Sequence, residues 1–320
     1  MAGRRRDWVE LAAPLSDLDR ALLRLLRDDG RRPVEQLAAE LGAAKRTVRR
    51  RMHELEQRGA LRIVAAGHPQ TAGRPLVVIA GVRLDGAQPA AEAARRLAEA
   101  TGAVHAAVVS GRYHVLLELW SAGPDQLLDV VDRRLAGAPG IAASELHPRL
   151  RLAYQTPAFA LARAAAPPPA AAGIELDDLD RAVVSHLQAD GRATYQAVAA
   201  KLGVTDNQVR GRVRRLTAAG AIHITSLADP DAVGLSARAS IAVRTLSGAS
   251  AAEVADRLAE LPAVTHVAVV AGRFQLLADV ACADLAALDD LMETRVRRLS
   301  GVGSAESWLI LREICIDAAI

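Results

Sequence analysis

The side chains best suited to chemistry in this chain are bases and amides gathered into two short runs. Lys45, Arg46, Arg49 and Arg50 lie in the run from Lys45 to Leu55, Lys-Arg-Thr-Val-Arg-Arg-Arg-Met-His-Glu-Leu. Thr205, Asp206, Asn207, Gln208, Arg210 and Arg214 lie in a second run, 161 residues further on. Arginine's planar fork grips a phosphate or the paired acceptors of a guanine edge. Asn and Gln pair with adenine, and Asp accepts from the cytosine amino group. Arg212 and Arg215 join Arg210 and Arg214 as expected phosphate anchors, and Gly211 lets a phosphate approach. Such a set suits the binding of a polyanion, double-stranded DNA above all. The plainer reading is a solvated basic helix in each run, with Asp206, Asn207 and Gln208 only capping the second.

Two further sets come from a pair of turns. Gly111, Arg112 and His114 stand in Gly-Arg-Tyr-His, and Gly272, Arg273 and Gln275 in Gly-Arg-Phe-Gln. Either arginine suits a carboxylate or another anion, so these six residues form a candidate small-molecule site. Read plainly, each is a hairpin turn. The eight histidines do not cluster. We find no metal-ligand spacing, phosphate-cradling glycine loop or nucleophilic triad, so no catalytic residue, metal or cofactor is expected.

The elements that must position the first set read as a helix-turn-helix. Val48, Met52 and Leu55 recur at helical spacing and form a buried stripe, while the bases fall mostly off it. A short helical pattern, Glu35 to Leu41, precedes the run. Gly42 between them accepts the left-handed conformation of a sharp turn, and Gly59 is a natural stop. In a helix-turn-helix the second helix enters the DNA major groove. Ahead of it, Ser16 or Asp17 can cap a helix lined by Leu18, Ala21, Leu22, Leu25 and Leu26. Pro33 opens the next helix, whose stripe is Val34, Leu37, Ala38 and Leu41.

Composition is compatible with this. At 320 residues the chain is long enough for two to four cores, and half of it is apolar. Aromatics make up only 2%, so the cores must be aliphatic. All basic residues but Lys45 and Lys201 are arginine. Net charge is only +3, but Arg4 to Arg6 carry +3, residues 43–62 about +5 and residues 201–216 about +4. The remainder is therefore acidic, a segregation expected where a few faces meet phosphate. Cys282 and Cys315 are no disulfide framework and read as small core residues. No apolar run is long enough to span a membrane, and a cytoplasmic protein is expected.

Beyond the first head the pattern is strand, helix, strand, strand, helix, strand. The segments are Leu76 to Arg83, Pro89 to Ala100, Val104 to Val109, Tyr113 to Trp120, Pro124 to Leu135 and Ile141 to Leu152. That order is the split βαβ, or ferredoxin-like, arrangement. The whole unit then repeats at an offset of 161. Leu179-Asp180-Arg181-Ala182 copies Leu18-Asp19-Arg20-Ala21, Asp190-Gly191-Arg192 copies Asp29-Gly30-Arg31, and 19 of 46 positions from Leu18 to Ile63 are identical. The register continues through His105 and His266, Gly111-Arg112 and Gly272-Arg273, and Glu145 and Glu306. A tandem duplication follows. The expected fold is α+β, with two winged-helix-like helix-turn-helix heads alternating with two ferredoxin-like βαββαβ domains. The expected organisation is a basic arm (1–15), head one (16–66), sheet domain one (75–154), an Ala/Pro linker (155–173), head two (174–227) and sheet domain two (236–317).

The motifs Leu18-Asp19-x-x-Leu22, Asp29-Gly30-Arg31, Leu37-Ala38, Leu41-Gly42, Val48, Arg51 and Leu55-x-x-x-Gly59 resemble the head of the Lrp/AsnC transcription regulators. The resemblance covers the chain twice, leaving out only arm and linker. It implies sheet domains that pair into homo-oligomers and that bind a small effector, often an amino acid, between them. Three features depart from the family pattern. Ala44 and Thr205 replace a usual serine before the recognition helix. The acid of a Gly-x-x-Asp turn is absent from both copies. Two heads share one chain. Unlike heads imply a pseudo-dimer suited to asymmetric half-sites. Two alternatives to a sequence-specific regulator remain. One is a siroheme-decarboxylase-like enzyme, whose extra His-, Arg-, Tyr- and Trp-rich stretches we do not find. The other is a chromosome-organising protein of low sequence preference.

Overall fold

The computed structural model describes residues 15–67, 69, 73–155, 174–228 and 234–316. The expected arm and linker lie almost wholly outside these residues, as does the side chain of Cys315. The first head consists of α1 (Asp17–Asp28), α2 (Val34–Glu40) and α3 (Lys45–Gln57), followed by strand β1 (Leu61–Gly67). The first sheet domain runs β2 (Leu76–Leu84), α4 (Ala90–Thr101), β3 (His105–Val109), β4 (Val115–Ser121), α5 (Pro124–Asp129) and β5 (Ile141–Gln155). The second half repeats the plan. Its head is α6 (Asp178–Ala189), α7 (Tyr195–Leu202), α8 (Asp206–Ala218) and β6 (Ile222–Ala228). Its sheet domain is β7 (Ala237–Thr245), α9 (Ala251–Ala259), β8 (Val264–Val270), β9 (Leu276–Cys282), α10 (Leu285–Asp290) and β10 (Val302–Ile316). Both α5 and α10 run on into a wider, π-type turn at repeat-related positions, Val130–Leu135 and Leu291–Val296.

Local rules place these elements. Ser16 and Asp19 form a capping box that starts α1. Gly42 and Gly59 take positive φ at the two ends of the turn and recognition helix. Val48, Met52 and Leu55 are buried, as the helical spacing predicts. On α1 the expected stripe is only partly right. Leu22 and Leu26 are buried, but so are Leu23, Asp19 and Arg27, while Leu18, Ala21 and Leu25 are half-buried. The helix is turned so that a carboxylate faces inward, for a reason given below.

The two halves do not fold side by side as separate units. Strands β1 and β6, one from each head, pair antiparallel from Leu61 opposite Ala228 to Gly67 opposite Ile222. A single aliphatic core runs through both heads, from Leu22, Leu37 and Leu55 to Val183, Val209 and Leu216. The Asp-Gly-Arg motifs lock this join. The Gly30 amide donates to the Ile224 carbonyl at 2.8 Å, and the Gly191 amide to the Ile63 carbonyl at 2.7 Å. A Cβ on Gly30 would lie 2.8 Å from the Ile63 side chain, and one on Gly191 2.8 Å from the Val64 amide. Glycine is therefore required at 191 by a close approach of backbones and favoured at 30 by the Ile63 side chain. Arg31 donates to the Ala193 carbonyl at 2.6 Å and Arg192 to the Gly30 carbonyl at 3.0 Å.

The sheets also merge. Within each half the strand order is that of a ferredoxin-like sheet, β3-β4-β2-β5 and β8-β9-β7-β10. Strand β5 then pairs with β8 and β10 with β3, closing an eight-stranded barrel. Closure leaves no unpaired sheet edge in this barrel. Helices cover each sheet outside, over separate aliphatic cores. A third core between the sheets holds Tyr113, Phe274 and Trp308.

Candidate nucleic-acid interface

All the expected DNA-facing bases of α3 are exposed, but their partners differ. Lys45 pairs with Glu35 at 3.2 Å, Arg49 lies 3.9 Å from the same carboxylate, and Arg50 pairs with Glu54 at 2.9 Å. Arg46 has no ion pair or hydrogen bond among the described residues. Helix α3 starts at Ala44, which offers no side-chain cap, so its first amides stay open to an anion.

In α8, Thr205 accepts from the Gln208 amide, and the Gln208 side chain accepts from the Thr205 amide at 2.9 Å, a complete capping box. Gln208 is thus drawn back onto its own helix, and the expectation that it reads bases gives way to the capping role. Asp206 pairs with Arg210 at 2.9 Å, and the Arg210 guanidinium also lies 5.2 Å from the centre of the Tyr195 ring. Asn207 and Arg214 are exposed and unpartnered among the described residues. Gly211 is exposed, with no atom within 4 Å of a Cβ position, so the approach there is open.

Arg212 and Arg215, expected as phosphate anchors, both reach back to carboxylates of the first helix of their head. Arg212 donates to Asp180 at 2.7 Å and to Asp177 at 2.6 Å, and Arg215 donates to Asp180. In the first head Arg51 likewise donates to Asp19 and, at 2.7 Å, to Glu54. Asp19 and Asp180 are wholly buried, which explains the turned face of α1. Burial pushes the Asp19 carboxyl up, but the hydrogen bonds from Arg51 and Ser16 outweigh it and hold it below the ordinary value. A carboxylate on the first helix thus holds the recognition helix by its inner face. Its sequence signal was available: Asp19 and Asp180 are repeat-matched, as are Arg51 and Arg212.

The Gly-Arg turns come from opposite halves and each meets the other half's last strand. Arg112 makes a two-pronged pair with Glu306, both bonds 2.9 Å, and the Arg112 guanidinium holds that carboxyl below its ordinary range. The repeat-related pair is not made. Glu145 instead accepts the Tyr113 hydroxyl at 2.7 Å, while Arg273 has no ion pair among the described residues. Burial, with Glu145 beside it, pushes the Tyr113 hydroxyl well up. His147 is buried, and burial pushes its imidazole down toward the neutral form. Its Nε2 lies 3.1 Å from the Tyr113 oxygen, whereas Nδ1 has no partner. That nitrogen is 3.3 Å from where a Cβ on Gly272 would sit.

Tyr113, His147, Phe274 and Trp308 make a ring of aromatic contacts between the sheets, with centroids 4.9 to 6.1 Å apart. Gly81 makes room for it, since a Cβ there would fall 2.5 Å from the Tyr113 ring. None of this grouping was expected from sequence beyond the repeat match of Glu145 with Glu306. His114 and Gln275 make contacts that the sequence did not foretell. Their side chains accept the Leu84 amide at 2.9 Å and the Thr245 amide at 3.2 Å. Both therefore act as acceptors that fasten the turn to its neighbouring strand, where an effector role was expected.

Two helix-turn-helix heads with basic recognition helices, fused to paired ferredoxin-like sheets, define a DNA-binding regulator class. The sequence comparisons agree. The AsnC-type helix-turn-helix domain matches residues 15–56 and 176–217, and the Lrp/AsnC ligand binding domain matches 238–320. The HTH-type transcriptional regulator LrpA of Mycobacterium tuberculosis is 34% identical over 143 residues, 44% of this chain and 94% of the relative. An uncharacterised HTH-type transcriptional regulator of Pyrococcus horikoshii is 31% identical over 138 residues, 43% of this chain and 87% of the relative. The chain belongs to the Lrp/AsnC family of transcriptional regulators. A fold match over nearly the full length comes from the siroheme decarboxylase NirDL, with TM-score 0.64 and 15% identity over 94% of this chain and 93% of the other. At that identity the likeness is one of fold. Among the described residues no helix is long and apolar enough to cross a membrane.

Proposed function

We propose that this chain is a sequence-specific DNA-binding regulator that presents two unlike heads as one preassembled unit, and that it is not an enzyme. The observation that carries this reading is the join between the heads. A shared core, a shared two-stranded sheet and the Gly30 and Gly191 contacts hold α3 and α8 in one arrangement. A family dimer's pair of heads is thereby supplied by a single chain. The test is binding of the purified chain to DNA from upstream of its own gene and to scrambled DNA over a salt series. Specific binding about 10³-fold or more tighter than to scrambled DNA is expected. Nonspecific contact should weaken with a log–log slope near −0.9 per neutralised phosphate. Equal affinity for both DNAs would favour an organising role. Siroheme binding with release of carbon dioxide would overturn the regulator reading.

The sheets support a second element of the proposal, an effector carrying a carboxylate. Arg273 is the better candidate to receive it, since Glu306 already occupies Arg112, and the unpartnered His147 nitrogen borders the same turn. Thermal shift of the full chain against amino acids and other carboxylates tests this, with Arg273→Ala expected to remove any response. Association of chains through the sheets is also proposed. Leu150 and Leu311, related by the repeat, stand on bulges of β5 and β10 and are 69% and 63% exposed. Light scattering of Leu150→Asp and Leu311→Asp checks it, with a smaller assembly expected.

A further inference from the structure

We propose that Arg46 and Asn207 are the specificity-determining pair of this protein. Arg46 reads a guanine in one half-site, and Asn207 reads an adenine at the symmetry-related position of the other. The inference rests on the reading of the heads as DNA-binding modules.

The argument is one of position and availability. Base edges are met mainly by the N-terminal residues of a recognition helix. Arg46 is the second residue of α3 and Asn207 the second residue of α8, and the two are related by the repeat offset of 161. Both are exposed, and neither has a partner among the described residues. Their neighbours are committed elsewhere. Lys45 is paired with Glu35 and Asp206 with Arg210. Gln208 is held in the capping box. Arg51 and Arg212 face inward, onto Asp19 and Asp180. Arg49, Arg50 and Arg210 each have an acidic partner, and Arg214 lies two turns further along, where it suits the backbone.

The two side chains differ in what they can hold. A guanidinium offers parallel donors to guanine O6 and N7, whereas a carboxamide offers one donor and one acceptor, the complement of adenine N7 and N6. Because the heads share one core and one two-stranded sheet, the two preferences are read in one fixed relation. The favoured operator is therefore non-palindromic at this base pair, with G·C in one half and A·T in the other.

Selection from a randomised duplex library with the full chain tests this, using wild type, Arg46→Asn, Asn207→Arg and the double exchange. Wild type should return unlike half-sites. Arg46→Asn should return adenine in both halves and Asn207→Arg guanine in both, each shifting the base preference about ten-fold or more. The double exchange keeps net charge and should move the guanine into the other half-site. Both positions are exposed, and unchanged circular dichroism melts confirm folding. The inference is overturned if sites are selected but the preferences survive the exchanges. It is also overturned if Arg46→Asn weakens all sequences alike and lowers the salt slope by about 0.9, the mark of a phosphate contact. Selection of no sequence by wild type would overturn the regulator reading as well, and is distinguishable on that ground.

Discussion

The two heads are built on one internal frame and present different surfaces. Inside, each has a buried aspartate on its first helix, Asp19 or Asp180, holding an arginine of its recognition helix. Each also has an Asp-Gly-Arg corner, around Gly30 or Gly191, pressed against the other head's strand. Outside, α3 is uncapped and begins with two bases, whereas α8 is closed by Thr205 and Gln208 and begins with an acid and two amides. The duplicated parts that hold the heads together are alike in the two halves, and the exposed starts of the recognition helices differ. Packing constrains a buried residue through many neighbours at once, while an exposed side chain on the recognition helix is constrained only by what it binds.

The frame should break unequally when its matched parts are removed. The largest effect is expected for Asp180→Ala, since that carboxylate serves Arg212, Arg215 and the Asp177 amide of its own cap, whereas Asp19 serves one arginine, Arg51, and the Ser16 cap. Urea unfolding should show a loss of about 2–4 kcal/mol for Asp180→Ala, and less for Asp19→Ala. Both fall below the full cost of breaking a buried pair, because the arginines are partly exposed. Equal losses would mean that the second arginine adds nothing.

The corners come next. Gly191→Ala drives a Cβ into backbone at Val64 and Ile63, whereas Gly30→Ala first meets the movable Ile63 side chain. We expect about 1–3 kcal/mol for the former and less for the latter, from the melting of each full-length variant. If Gly30→Ala proved the worse, the backbone approach at Gly191 would not be the tighter constraint.

Capping sharpens the contrast in the other direction. Thr205→Ala should cost about 1 kcal/mol, while Ala44→Ser should stabilise by up to about 1 kcal/mol, both read as shifts in urea midpoint. Ala44→Ser would also occupy α3 amides proposed to stay open to phosphate, so weaker DNA binding should accompany the added stability.

The smallest effect is expected in acid. The Asp19 carboxyl lies below its ordinary 3.8 in the folded chain. Its contribution is therefore fully present above that pH and is lost as pH falls through the folded value. Asp19→Asn should flatten the acid limb of stability below about pH 4, measured by urea midpoints from pH 3 to 6. An unchanged limb would show that Asp19 does not titrate as placed.

The elements were legible in the sequence because their signals are local. The stripe Val48, Met52 and Leu55, the turn at Gly42 and the stop at Gly59 each depend on residues a few positions apart. The repeat extended that reading to the second half without new assumptions. The candidate sites were less legible. Lys45, Arg46, Arg49 and Arg50 were found by type and are exposed, but type alone could not tell that Arg212 and Arg215 reach back to Asp180 or that Gln208 caps its helix. His114 and Gln275 were singled out for a lost acid, and the amides their side chains accept, of Leu84 and Thr245, were not foreseen.

By itself the sequence determined that there are two heads, two split-βαβ sheets and a duplication joining them, since periodicity, glycine conformation and repeat register act along the chain. Only the tertiary structure decided that β1 pairs with β6, that the sheets close into one barrel, and that Arg112 meets Glu306 from 194 residues away. Those contacts join groups whose spacing in sequence carries no information about their meeting. They form because each half leaves strand edges and aliphatic faces unsatisfied, and the other half covers them.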